Sequence, residues 1–261
     1  MRKNKIRELL NAGKPTICTR VASSWPTLVE AIGETGVFDY VEFVAEYAPY
    51  DLYSLDNFCR AVELYDMSAM IKVDDANRCY VAQRAVGAGF QSVLFTDARS
   101  PDDIRDGIRI VRPDTPDAGG LYPIAPRRMA GVGYCDSPEY VQALKDIVVV
   151  FMIEKAPAVE SLEEILSVEG IDMVQWGPSD YTMSIGRPGT RAEPEAKAVE
   201  RRVFETAIRM GVPPRAEINS PDEAKYYLDM GVQHFSLGTD IGILYSWLKS
   251  NGDSLRKVVQ G

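Results

Sequence analysis

Apolar positions along this chain follow two rhythms. Short β-rich runs at residues 16–20, 40–44, 68–73, 92–95, 148–153, 173–176, 214–218 and 234–237 alternate with longer stretches of helical periodicity, such as 24–35, 77–88 and 221–230. That alternation predicts βα units and a parallel sheet. Ser100-Pro101 and Ser220-Pro221 each precede two acids, a helix-start signal in which an N-cap, a Pro at the first position and early carboxylates suit the helix dipole. Gly89, Gly170 and Gly231 fall where helices should give way to strands. About eight such units in a chain of this length match a TIM (β/α)8 barrel, so residues 1–261 read as one domain.

The rhythm breaks most conspicuously over residues 113–140, a Pro- and Gly-rich segment between the fourth and fifth runs. A connection this long inside a domain is expected to be functional or ordered by a partner subunit. A linker between two domains is the alternative. One barrel is preferred, because strands on both sides are needed to close it.

Composition narrows the classes. A net charge of −9 with no Lys/Arg block argues against a nucleic-acid surface. No run of eighteen apolar residues suggests a membrane span. The basic, amphipathic start MRKNKIRELLNAGKP lacks the apolar core and cleavage site of a signal peptide. Cys18, Cys59, Cys79 and Cys135 have no paired spacing, which fits reduced thiols in the cytoplasm. With His234 as the single imidazole, a His/Cys metal cage is excluded.

In a barrel of this kind, chemistry sits at the C-terminal ends of the strands. The second run ends in VEFVAEYAPYD and presents Glu46 and Tyr47. The third carries Lys72 inside it, with Asp74 and Asp75 beyond, and the fourth ends at Asp97. The fifth, VVVFMIEKAP, finishes on Glu154, and the sixth runs into Gly177-Pro178-Ser179-Asp180. A carboxylate straight after a buried apolar run is costly without a partner. Glu154 and Asp180, on neighbouring strands, therefore make candidate ligands for a hard divalent cation, Mg²⁺ or Mn²⁺ with Co²⁺ also possible. The plainer reading is capping, or pairing with Lys155 or Arg187. Lys72 has a similar alternative, a rim pair with Asp74 or Asp97. Gly177 and Ser179 are candidates to offer backbone N–H groups to a substrate carboxylate where a helix begins. The loops after the last two runs, AEINSP and SLGTDIG, put acids where a phosphate would sit, so a carboxylate substrate is favoured over a phosphorylated one.

At these residues the chain resembles the HpcH/HpaI aldolase/citrate lyase family of the phosphoenolpyruvate/pyruvate barrel superfamily, over about residues 16–248. FDYVEFVAEYAPYD, EKAPAVESLEEILSVEGIDMVQWGPSDYTMSIG and YYLDMGVQHFSLGTDIGIL carry the resemblance. It resembles most the aldolases acting on 4-hydroxy-2-oxoheptanedioate and 2-dehydro-3-deoxyglucarate. The resemblance implies metal carboxylates at Glu154 and Asp180, carboxylate-binding donors at Gly177 and Ser179, and an oxyanion-stabilising cation at Lys72. Glu46 takes the place of the acid in the family's second-strand motif. The implied chemistry makes or breaks a carbon–carbon bond beside a metal-bound pyruvate enolate.

Four positions depart from the family. Tyr47 stands where the aldolases carry His, and Gly87 where that His finds its acid. Lys72 replaces an Arg and loses its bidentate fork, and Met152 replaces a Gln. A dication beside Lys72 should favour its neutral form. Tyr47, with an ordinary pKa near 10, makes a poor general base but a serviceable hydrogen-bond donor; packing against Ala48-Pro49 is its structural alternative. Enolisation of pyruvate is therefore expected to persist and cleavage of the usual 4-hydroxy-2-oxo diacids to be slow.

The reading is a metal-dependent carbon–carbon lyase joining or releasing pyruvate and an aldehyde. Two alternatives stand beside it. One is a citrate-lyase-type acyl-CoA or 2-hydroxyacid lyase, in which residues 113–140 would help hold the larger substrate. The other is a non-catalytic protein that binds metal and oxo acid. The resemblance also implies a homo-oligomer, often a hexamer built as a trimer of dimers, with a swapped C-terminal helix. Ile243, Leu244, Trp247 and Leu248 form the stripe that would cross over; closing its own barrel is the alternative.

Overall fold

A computed structural model of the chain describes residues 2–131, 133 and 135–260. Eight parallel strands close into a barrel in sequence order, the (β/α)8 architecture expected from the alternating pattern. They are β1 (Thr16–Val21), β2 (Tyr40–Val44), β3 (Ser68–Val73), β4 (Ser92–Phe95), β5 (Val148–Ile153), β6 (Met173–Trp176), β7 (Pro214–Ile218) and β8 (His234–Thr239). Around them run α1 (Lys5–Asn11), α2 (Pro26–Glu34), α3 (Leu52–Val62), α4 (Arg78–Ala88), α5 (Pro101–Val111) and α6 (Pro138–Lys145). The second half adds α7 (Ala156–Glu160), α8 (Leu162–Leu166), α9 (Pro178–Ser184), α10 (Pro194–Arg209), α11 (Ala224–Leu228) and α12 (Asp240–Gln260).

Local chemistry sets these boundaries. The Ser100 hydroxyl accepts from the Asp103 N–H while the Asp103 carboxylate takes the Ser100 N–H, a reciprocal cap that starts α5. Ser220 caps a single 3₁₀ turn, Pro221–Glu223, before α11, so the helix expected over 221–230 is shorter and in two pieces. Gly89 follows α4 at φ +124, a conformation that residues with a Cβ rarely adopt.

Two cores result. One lies between the sheet and the helices, where Phe43, Phe58, Phe90, Phe95 and Phe151 are buried. The other fills the barrel with Cys18, Tyr40, Met70, Leu94, Val150, Met152 and Met173. Ile6 and Leu10 of α1 pack against this inner core. The amphipathic N-terminal segment thus plugs the barrel floor, tied down by Arg7 at 2.5 Å from Asp172.

The long segment packs on its own barrel. Residues 132 and 134 lie outside the described residues, and the rest folds back over α4. Arg127 donates to the Gln83 carbonyl at 2.6 Å and Arg128 to the Ala88 carbonyl at 2.7 Å. Ala88 is at the C-terminal end of α4, on the face opposite the strand ends, and Gln83 is midway along the helix. Arg127 and Arg128 are thereby committed to α4 of their own barrel. A cleft of about 520 Å³ on that same face is lined by Arg2, Phe90, Gln91, Arg128 and Ile147.

Helix α12 leaves the barrel after Asp240, whose carboxylate accepts from the Ala22 and Ser23 N–H groups and ties the end of β8 to that of β1. None of its residues is buried, and Ile243, Leu244, Trp247 and Leu248 are all more than half exposed. The stripe does not pack on its own barrel. Among the described residues, no helix is long and apolar enough to cross a membrane.

Candidate active site

Lys72 enters the barrel mouth from β3, paired in register with Val44 and Leu94, and is almost fully buried. After β2 the chain turns tightly: the Tyr47 and Ala48 N–H groups both donate to the Val44 carbonyl, and the Glu46 N–H donates to the Lys72 carbonyl at 3.2 Å. The turn delivers the Glu46 carboxylate to 2.5 Å from the Lys72 ammonium, and Lys72 donates to the Tyr47 hydroxyl at 2.7 Å. Lys72, Glu46 and Tyr47 thus converge. Neither Asp74 nor Asp97 partners the lysine.

This clamp sets the charge of Lys72 in the metal-free protein. Burial by itself would lower the Lys72 pKa, but the Tyr47 oxygen and the Glu46 carboxylate outweigh it and hold the ammonium above the ordinary lysine range. In this arrangement the neutral form is disfavoured. Partial burial pushes the Tyr47 phenol up as well, more than Lys72 draws it down, so at neutral pH it holds its proton more firmly than a free tyrosine. The Tyr47 side chain is 65% exposed, with its hydroxyl on Lys72, rather than packed away in the Ala48-Pro49 turn.

The second cluster lies across β4, β5 and β6. Glu154 directly follows β5 and is 2% exposed, with Oε1 accepting the Asp97 N–H at 3.0 Å. Asp97 sits at φ +60, the one non-glycine residue with positive φ among the described residues, and this turns its N–H toward Glu154. Burial pushes the Glu154 carboxyl up to about 7; the Asp97 N–H and Lys72 pull it down, while the Asp180 and Asp97 carboxylates push it further up. Lys155 stands between those two acids, 2.6 Å from Asp97 and 3.1 Å from Asp180. The plainer partner foreseen for Asp180 is therefore present, whereas Arg187 pairs with Glu193 instead.

Gly177 needs a different account from the one its position suggested. Its N–H donates to the Ile153 carbonyl at 3.2 Å, continuing the sheet, so it is not free for a ligand. What the site requires there is the missing side chain: a Cβ would stand 2.3 Å from Glu154 Oε2 and 2.9 Å from Met152 Cε. Ser179 keeps its N–H without an acceptor among the described residues, as the first turn of a helix does. Its hydroxyl accepts from Arg191 at 3.3 Å. Gly87 corrects an expectation: it lies at the C-terminal end of α4, where a Cβ would meet the Arg127 side chain at 2.2 Å, and not at the strand ends where a partner for residue 47 would stand.

No group of three His, Cys, Asp or Glu side chains converges on a metal-sized position among the described residues. A cation here would therefore take two protein carboxylates and complete its shell with water and substrate, the habit of Mg²⁺ and Mn²⁺. The donor set fits. Glu154 and Asp180 offer hard oxygens, Glu154 Oε2 has no hydrogen-bond partner among the described residues, and a carboxyl lifted by burial is one that a dication would ionise.

Sequence reasoning missed the charges beneath this site. Arg215 of β7, fully buried, ion-pairs with Glu42 of β2, hydrogen-bonds Gln175 of β6 and lies 2.9 Å from Cys18 Sγ. Gln175 in turn donates to Glu217 at 2.6 Å, and Glu217 pairs with Arg20 at 2.5 Å. The available signal was a charged residue in the middle of a short apolar strand, YVEFV and PRAEI, where period-two alternation points it inward.

The family model for HpcH/HpaI aldolase/citrate lyase matches residues 21–246. The 5-keto-4-deoxy-D-glucarate aldolase of Klebsiella pneumoniae subsp. pneumoniae is 26% identical over 97% of this chain and 97% of its own. Among solved structures, a HpcH/HpaI aldolase/citrate lyase family protein from Burkholderia cenocepacia J2315 superposes with a TM-score of 0.87 at 23% identity, covering 98% of this chain and 99% of that one. The citrate lyase beta subunit of M. tuberculosis, complexed with oxaloacetate and magnesium, matches with a TM-score of 0.57 at 14% identity over 88% and 93%. Barrel, strand-end carboxylates and a family match over most of its length agree: this chain belongs to the HpcH/HpaI aldolase/citrate lyase family.

Proposed function

We propose that this protein is a divalent-metal-dependent aldolase that makes or cleaves 2-oxo acids through the enolate of a pyruvate fragment. The coarser statement, a carbon–carbon lyase, follows from the family and its aldolase relatives. The observation that carries the finer one is buried Glu154 at the end of β5, within the electrostatic reach of Asp180 after β6 and of Lys72.

Glu154 and Asp180 would hold the metal, which when bound polarises the 2-oxo group as a Lewis acid. Lys72 supplies fixed positive charge for the 2-oxo oxygen that becomes negative as the enolate forms, either by loss of the methyl proton to a water molecule or by cleavage of the carbon–carbon bond. Glu46 keeps that charge in place by ion pairing, and Tyr47, held by Lys72, donates from its hydroxyl to an oxyanion or aldehyde oxygen. The free Ser179 N–H orients the substrate carboxylate, while Gly177 leaves room for the Glu154 carboxylate. With Tyr47 where the family's aldolases carry His, proton transfer to the acceptor is the weak step, and 4-hydroxy-2-oxo diacids turn over slowly.

Glu154→Gln and Asp180→Asn should each abolish Mg²⁺ or Mn²⁺ binding by calorimetry and lower turnover at least about 10³-fold, with the barrel still folded. Unchanged affinity in both would move the site elsewhere. The exposed stripe on α12 supports a homo-oligomer, a hexamer or trimer of dimers, with a second copy covering Leu244 and Trp247. Light scattering showing only monomer at micromolar concentration would remove that part of the proposal. Four free cysteines, two of them buried, are in keeping with the cytoplasm.

A further inference from the structure

We infer that Lys155 is an internal counter-cation that competes with the divalent ion for Asp180 and thereby weakens and tunes metal binding. The inference rests on the metal reading of Glu154 and Asp180. It begins from a contact that such a reading does not require: the ammonium next in sequence to one proposed ligand lies 3.1 Å from the other. The side chain is buried and held at 2.6 Å by a second acid, Asp97.

Three carboxylates and two ammonium groups meet here. Asp97 and Asp180 share Lys155 between them, while the buried Glu154 carboxyl lies within the electrostatic reach of both acids and of Lys72. Asp97 joins the parts through opposite ends of one residue. Its backbone N–H holds Glu154 Oε1 while its carboxylate anchors Lys155. A dication approaching Asp180 meets a carboxylate already shared with a buried ammonium; the acid itself is 37% exposed, so water screens part of the like-charge repulsion. To bind, it must displace Lys155 toward Asp97 or share the acid with it. Asp97 thus sets how readily Lys155 gives way, and both are positioning residues for the metal.

The sign of the effect separates this from an ordinary structural ion pair. If Lys155 only braced the loop, removing it would loosen the ligands and weaken metal binding. As a competing cation, its removal strengthens binding. The test is Mn²⁺ titration by calorimetry at fixed pH and ionic strength, with melting temperatures measured with and without Mn²⁺. Lys155→Met is expected to tighten Mn²⁺ binding at least about tenfold, to melt lower without metal, and to gain more from metal than wild type does. Lys155→Arg, which keeps the charge, should stay within about threefold of wild type. Asp97→Asn should bind more weakly, because Lys155 is left with Asp180 as its carboxylate partner. This second variant reads the proposal if Lys155→Met does not fold.

Wild type that binds Mn²⁺ while Lys155→Met binds equally or more weakly would overturn the role of Lys155 and leave the metal reading intact. No Mn²⁺ binding by wild type or by Lys155→Met would overturn the metal reading and the inference together.

Discussion

The two halves of the barrel interior are filled by opposite kinds of residue. Strands β3, β4 and β5 line it with Met70, Leu94, Val148, Val150 and Met152. Strands β7, β8, β1 and β2 line it with Arg215, Glu217, His234, Ser236, Cys18, Arg20 and Glu42. The apolar half ends in Glu154 and strips it of water, which lifts its carboxyl to about 7. In the charged half Arg215 is committed to Glu42 and Gln175, and Glu217 to Arg20, while Glu42 Oε1, Arg215 Nε and Ser236 Oγ are buried without a hydrogen-bond partner among the described residues. Reactivity here comes from a few ionisable groups set against an apolar wall. The larger collection of charges opposite is spent on mutual neutralisation.

That contrast is easiest to break from the charged side. Glu42→Gln or Arg215→Met removes one member of a fully buried pair and should cost about 3–5 kcal/mol in denaturant unfolding, because the remaining charge has no water to turn to. Turnover per folded molecule should change little, since neither residue reaches the strand ends. A large loss of turnover with little loss of stability would mean that the network serves the chemistry.

Lys72 should behave the other way round. Lys72→Ala is expected to lower kcat about 10²-fold, with a smaller loss of stability than Glu42→Gln, as the Glu46 that it leaves behind is partly exposed to water. Lys72→Arg should recover much of the activity. Equal losses in turnover and stability for Lys72→Ala would reduce the lysine to a rim ion pair.

His234 gives the smallest effect and the cleanest one, being the single histidine. Burial first, and the Arg215 charge second, hold its pKa down at about 4, with Thr16 at 3.0 Å from Nδ1. Its folded pKa is below the unfolded value, so the folded state gives up a proton that the unfolded chain keeps. The stability associated with the neutral ring is therefore complete above about pH 6.5 and is lost as pH falls toward 4, amounting to about 2 kcal/mol by pH 5. His234→Gln should flatten the dependence of unfolding free energy on pH across that window. A slope unchanged by the substitution would assign the acid sensitivity to carboxylates.

The parts legible in the sequence were those in which one residue and its neighbours settle the outcome. Capping serines, β-rich runs and helical stretches gave the barrel, and apolar runs that stop on Glu154 or at Gly177-Pro178 gave the strand-end acids. Pairings between distant segments were not legible. The clamp on Lys72 depends on a turn after β2 that swings Glu46 back over β3. The Glu42–Arg215 pair spans 173 positions and meets only because the barrel closes. The role of Gly177 illustrates the same limit. A glycine before a helix suggests a free N–H, yet the sheet takes that N–H and the glycine serves by lacking a Cβ beside Glu154.

Exchange of the pyruvate methyl protons for deuterium, followed by NMR, tests the central claim most directly, since it isolates proton removal from any choice of acceptor. Wild type with Mg²⁺ should exchange, chelation should stop it, and Glu154→Gln should not exchange with metal present. Tyr47→Phe should stay within about tenfold of wild type, because a phenol that holds its proton this firmly is not the base. Absence of exchange in wild type with Mg²⁺, or exchange that survives both chelation and Glu154→Gln, would contradict the account.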